Sequence, residues 1–209
     1  MTGKLLLLLI CFNTFFALNR SLSQDMLFNG KKNKAGFVTG NGIQYIGQLI
    51  GNNNHNIALK TNYYYQVRFY QLQYYISISR KKSFGIDVLF QPQYNLVKYR
   101  LYPVSTDFLK GHEVGLNVGF VLRKNISNNL LCFYLSVNTG PAYASGTPHR
   151  QSSGFLFSNN AALGVNLRIY RSLYADLRAG IRHMSNGGIR IPNAGINNLT
   201  VNEGFLVAF

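Results

Sequence analysis

Hydrophobic and polar residues alternate along this chain in one segment after another. In 113–123 the apolar set is Val114, Leu116, Val118, Phe120 and Leu122, and Glu113, Gly115, Asn117 and Gly119 fill the positions between. In 130–138, Leu131, Phe133, Leu135 and Val137 alternate with Cys132, Tyr134, Ser136 and Asn138. In 160–170, Ala161, Leu163, Val165, Leu167 and Ile169 alternate with Asn160, Gly164, Asn166 and Arg168. In 173–182, Leu173, Ala175, Leu177, Ala179 and Ile181 alternate with Asp176, Arg178, Gly180 and Arg182. A period of two places alternate side chains on opposite faces of a strand. Repeated over about ten residues at a time, it is the pattern of a transmembrane β-strand.

Four further segments complete the count. In 84–90, Phe84, Ile86, Val88 and Phe90 share a face, while 65–78 is strand-like but slips near Tyr70, which predicts a bulge there. Residues 36–48 and 199–209 are the first and last segments. Short connections at 80–82, 124–129 and 170–172 alternate with long ones at 51–62, 91–111, 140–154 and 184–198. That asymmetry belongs to outer-membrane barrels. The expected fold is all-β, an eight-stranded antiparallel transmembrane β-barrel. A barrel of that size is filled by side chains, so Asp176, Arg178 and Arg182 are expected inside it, with the apolar faces meeting lipid.

The first residues read as an export signal. Lys4 gives a positive start, an apolar run covers 5–12 and resumes at 14–18, and Ser21-Leu22-Ser23 offers small residues at a cleavage site. The run is too short for a membrane helix, which needs about 20 apolar residues. The expected division is a signal peptide at 1–23 and one barrel domain at 24–209. Cleavage removes Cys11 and leaves Cys132, so no internal disulfide forms. The final Phe209, with Val207 and Phe205 on its face, resembles the assembly signal of bacterial outer-membrane proteins.

Charge changes the choice of partner. Without Lys4 and Arg20 the chain carries 19 basic residues against 6 acidic ones, a formal charge of +13. Nucleic acid is the usual partner of such a chain, but an exported protein rarely meets it. An anionic surface of phosphorylated glycolipid fits better. The 14 Tyr and 15 Phe suit membrane interfaces.

One segment carries chemistry. His183 and Ser185 are two residues apart at the end of a predicted strand, on one face and roughly 6.5–7 Å apart along it. Parity from Leu177 places both on the lipid-facing side, near the outer end of the seventh strand. A serine hydroxyl next to a base is a potential nucleophile. An ionisable residue facing lipid is a functional candidate, or it simply decorates the headgroup zone. Arg182, Arg190 and Arg150 are candidates for contact with lipid phosphates. The four His are scattered, His112-Glu113 lacks the second His of a zinc hydrolase motif, and no G-x-S-x-G elbow or P-loop is present, so no metal or organic cofactor is expected.

Over Ile181–Asn197 the chain reads IRHMSNGGIRIPNAGIN. This resembles the motif of the lipid A 3-O-deacylase family, PagL, close to H-x-S-N-x-G followed by P-N-x-G. The resemblance implies an outer-membrane esterase that removes the 3-O-linked acyl chain of lipid A without a cofactor. It implies Ser185 as nucleophile, His183 as general base and Asn186 as a contributor to the oxyanion hole. The family's third member is a Glu that orients the His; Asn197 stands in its place. An Asn can hold one imidazole tautomer but cannot stabilise imidazolium as a carboxylate would. Asn193 and Gly195 are expected to shape the loop, with Gly195 permitting positive φ. The residues alone leave three other readings open: a non-enzymatic barrel such as an adhesin, an esterase or acyltransferase for another membrane lipid, and an inactive relative. Homodimerisation is open as well.

Overall fold

The structure is a computed structural model, and it describes residues 42–48, 63–81, 83–127 and 130–209. The expected signal peptide lies outside the described residues. Eight strands follow one another: β1 (Gly42–Gln48), β2 (Tyr65–Lys81), β3 (Phe84–Tyr99), β4 (Leu109–Ser127), β5 (Leu131–Ala144), β6 (Gly154–Tyr170), β7 (Leu173–Ser185) and β8 (Ile196–Ala208). Each pairs antiparallel with the next, and β1 also pairs with β8 (Gly42 opposite Ala208), which closes the sheet. Closure leaves no edge strand to cap, so every strand finds its ladder partners within the chain.

The period-two pattern sets the two faces. Along β4, Val114, Leu116, Val118, Phe120 and Leu122 are exposed on the outer wall, and Glu113, Asn117, Val121 and Arg123 are buried inside. Inside, charges are paired and hydrogen-bonded, as buried charges require. Arg178 meets Asp176 at 2.8 Å, and Asp176 also accepts from Tyr134 and Asn166, both at 2.6 Å. Arg123 pairs with Asp87 and donates to Asn166. Further toward the loop end, Arg182 pairs with Glu113 at 2.6 Å, and Glu113 accepts from Tyr65 and Asn95. An apolar cluster of Tyr65, Val67, Phe69, Val97, Tyr99, Leu156, Met184 and Ile196 fills the lumen beside that pair.

This cluster corrects two expectations. No register slip occurs near Tyr70: pairing is regular from Tyr65↔Tyr99 through Ser77↔Asp87, and the irregularity falls between Ser77 and Ser79. The apolar residues that suggested a slip, Val67 and Phe69, simply face inward where the lumen turns apolar. The connection expected at 91–111 is largely strand, because β3 continues to Tyr99 and β4 begins at Leu109. Strands of 16 and 19 residues exceed the roughly 9–11 that cross a bilayer. Their loop ends therefore extend past the apolar band.

Candidate functional site

The site forms where β7 and β8 meet at the loop end of the barrel. His183 and Ser185 share the outer face of β7, with His183 exposed and Ser185 half-buried at the strand's last position. His183 lies opposite Asn197 of β8 on one side and Asn159 of β6 on the other. Its Nδ1 is 2.7 Å from Asn197 Oδ1. A carboxamide oxygen only accepts, so Nδ1 carries the proton and Nε2 is left as the basic nitrogen. No hydrogen bond joins His183 to Ser185 among the described residues. Such contacts are often loose before substrate arrives.

The backbone around this pair is fixed from several directions. The Tyr63 hydroxyl donates to Asn197 O at 3.1 Å and accepts from Asn197 N at 2.7 Å. The Arg150 guanidinium lies over the Tyr63 ring at 4.6 Å and donates to Ala194 O. Gly195 has φ of 71° and donates to Gln151 Oε1 at 3.0 Å. A Cβ there would sit 2.6 Å from His183 Cε1, so the imidazole rests against bare backbone. Loop 145–153 therefore braces loop 186–195, reinforced by the Gln151↔Asn193 bridge and by Ser152 N donating to Pro192 O.

Three sequence expectations are corrected. The first concerns Arg182, which cannot meet a lipid phosphate. It is 2% exposed, points into the lumen and is neutralised by Glu113. Parity dictates this, since it stands between outward-facing Ile181 and His183. The second concerns Asn186, which is buried with both amide protons spent, on Ser152 Oγ at 2.6 Å and Arg190 O at 2.7 Å. Its backbone N–H is held by Asn193 Oδ1, so Asn186 ties the loop together and has no donor left for an oxyanion. The Asn193 side-chain N–H groups and the Gly187 N–H make no hydrogen bond among the described residues. The third concerns Arg150, which also braces the loop: it is half-buried, donates to Ala194 O and lies over the Tyr63 ring. Arg190 is exposed beside the site, as a phosphate contact would need. Tyr63, Gln151 and Ser152 gave no sign of these roles in the sequence, because their partners are on other loops.

An apolar groove of about 510 Å³ descends the outer wall from His183. Val118, Phe120, Val137, Ala161 and Ile181 line it. The small side chain of Ala161 hollows the wall, with Ile181, Val137 and Phe120 in register across β7, β5 and β4. Above the groove, Phe157 of β6 stands opposite Ser185 in register and packs edge-on against Phe155 at 5.1 Å. The arrangement sets an apolar channel against the base, with a hydroxyl two residues further along the same face of β7. That is a geometry for cleaving an ester whose acyl chain lies along the barrel.

The chain is similar to known proteins in sequence pattern and in fold. The family model described as "Lipid A 3-O-deacylase (PagL)" matches residues 63–205. Among solved structures, a crystal structure of the outer membrane enzyme PagL superposes with a TM-score of 0.55 at 15% identity, covering 78% of this chain and 97% of that one. The backbone structure of the Yersinia pestis outer membrane protein Ail gives a TM-score of 0.41 at 15% identity, covering 82% of this chain and 100% of that one. No curated protein sequence matches.

Proposed function

The chain belongs to the lipid A 3-O-deacylase (PagL) family, and from that premise we propose that it is an outer-membrane serine esterase acting on lipid A. In this reading residues 24–209 form an eight-stranded barrel that spans the bacterial outer membrane after loss of a signal peptide at 1–23. The outward apolar wall supports that placement. Ser185 Oγ attacks the carbonyl of the 3-O-linked acyl chain while His183 Nε2 takes its proton. The acyl C–O bond to the sugar breaks as His183 returns that proton to the sugar 3-oxygen. Water, deprotonated by His183, then hydrolyses the acyl-Ser185 ester. Asn197 holds the imidazole through Nδ1. The released acyl chain lies in the groove below, whose volume falls in the usual ligand-site range of about 300–1,000 Å³. The Asn193 amide and the Gly187 N–H, which make no hydrogen bond among the described residues, are the candidate donors to the oxyanion in place of Asn186. Arg190 is the anion contact at the rim. No cofactor is needed.

The observation that carries this reading is the His183–Asn197 contact beside Ser185, at the head of an apolar groove that reaches the base. Mass spectrometry of lipid A after incubation with refolded protein tests it. Loss of one 3-hydroxyacyl group is expected. Unchanged lipid A from a folded barrel would refute the activity and leave an inactive relative.

Two substitutions probe the base. Asn197→Glu supplies a carboxylate to the same Nδ1–H and stabilises the imidazolium formed during attack. A rise in kcat of about tenfold at unchanged KM is expected; a fall in a folded variant would mean that Asn197 does more than orient. Gly195→Ala forces a Cβ into the imidazole. A displacement of about 1 Å at a reacting group costs roughly a hundredfold in rate, so kcat should fall by about that factor. Positive φ adds about 1–2 kcal/mol of destabilisation, read from urea unfolding in micelles.

A further inference from the structure

A second site lies on the far side of the barrel. In the closed ring β3 is four strands from β7, so its outer wall faces away from His183. Three rows cross β2, β3 and β4 there in register. Gln66, Lys98 and Lys110 form the row nearest the loops; Arg68, Leu96 and His112 form the next; Tyr70, Tyr94 and Val114 form the third. All nine face outward, and Arg68, Lys98, Lys110 and His112 are exposed. The first two rows enclose a groove of about 490 Å³ lined by Gln66, Arg68, Leu96, Lys98 and Lys110.

The order of the rows reads depth. Val114 and Leu116 belong to the apolar band, Tyr70 and Tyr94 to an aromatic girdle, and the cations stand just above it. That is where headgroup phosphates lie. Among the described residues these cations pair with no carboxylate. Asp87, Glu113 and Asp176 are inside the lumen on Arg123, Arg182 and Arg178. Asp107 and Glu203 form no ion pair among the described residues. An aromatic face positions one of them: Lys98 Nζ lies 4.1 Å above the Phe108 ring, which Arg100 also approaches at 4.5 Å, and the His112 ring stacks on Tyr94 at 6.0 Å beside the groove. Tyr143 of β5 and Phe155 of β6 continue the third, aromatic row in register from Val114.

We propose that Arg68, Lys98 and Lys110 form a non-catalytic binding site for a phosphorylated glycolipid of the outer leaflet. Its phosphates lie against the three cations, a sugar hydroxyl meets the Gln66 amide, and its acyl chains run down Tyr94, Val114 and Leu116. Three cations in one groove suit a ligand with more than one negative charge, which favours a bisphosphorylated glycolipid over a singly charged glycerophospholipid. The site rests on the outer-membrane placement above but not on hydrolysis.

The test counts lipids retained by the refolded Ser185→Ala protein in native mass spectrometry. Bisphosphorylated lipid A, the same lipid without phosphates, and phosphatidylglycerol are titrated against this protein. Each is also titrated against a version carrying Arg68→Gln, Lys98→Gln and Lys110→Gln. The triple variant is expected to retain one bisphosphorylated lipid fewer, its last binding step weakened at least about tenfold. Dephosphorylated lipid A should not distinguish the two proteins. An equal count from a triple variant that keeps the heat-modifiable mobility of a folded barrel overturns the site. So does phosphatidylglycerol filling it as well as lipid A. Failure of the hydrolase reading is separate, since it appears as unchanged lipid A mass with Ser185 intact.

Discussion

Ser185→Ala is expected to fold and unfold as the parent does while losing deacylation by a factor on the order of 10³–10⁶. The structural half of this expectation follows from the position. Ser185 ends β7, is half-buried, and its hydroxyl makes no hydrogen bond among the described residues. Its removal strands no partner, so stability should stay within about 0.5 kcal/mol of the parent. The catalytic half follows from the chemistry. Without Oγ the ester can only be attacked by water, and the groove, the loop N–H donors and His183 can merely assist that slower reaction. His183→Ala should fall nearly as far, and the double variant little further, because nucleophile and base act as one unit. Additive losses would mean that the two residues are not coupled. A Ser185→Ala protein that still releases the acyl chain would exclude the esterase mechanism, whatever its fold.

Much of this was legible before the structure. Alternation placed Ile181, His183 and Ser185 on the outer wall and Arg178 inside, and the structure has them there. The same parity placed Arg182 inside as well, and the structure has it there. Its expected phosphate contact came from nearness in sequence to His183, which in a strand means the opposite face. The misread strand limits share one cause. Past the apolar band the wall inverts: Lys98 and Lys110 face out, Val97 and Tyr99 face in, and a pattern tuned to lipid outside and polarity inside stops matching. Val67 and Phe69 looked like a register slip for the same reason. In the site, His183 and Asn197 could be paired from the motif. The Gly195–imidazole contact, the Tyr63 clamp on Asn197 and the spent amide of Asn186 could not. They depend on how two loops from different hairpins meet, and no local periodicity encodes that.

The inward turn of Arg182 sets the second large effect. Arg182→Met is expected to destabilise the barrel by about 3–5 kcal/mol, because the Glu113 carboxylate would stay buried with only Tyr65 and Asn95 to satisfy it. The double variant Arg182→Met, Glu113→Gln should regain most of that loss. A neutral amide can still accept from Tyr65 and Asn95, and the methionine fills apolar space beside Phe69, over which the guanidinium now lies at 5.4 Å. Urea unfolding in micelles reads both changes. The same pair of variants separates a structural arginine from a substrate-binding one. If Arg182 held a lipid phosphate, the double variant would be stable yet poor in kcat/KM on lipid A. A lumenal ion pair predicts the reverse coupling: activity lost only as far as the fold is lost, and returned with it to within about threefold, because His183 needs β7 in register and nothing from its neighbour's charge.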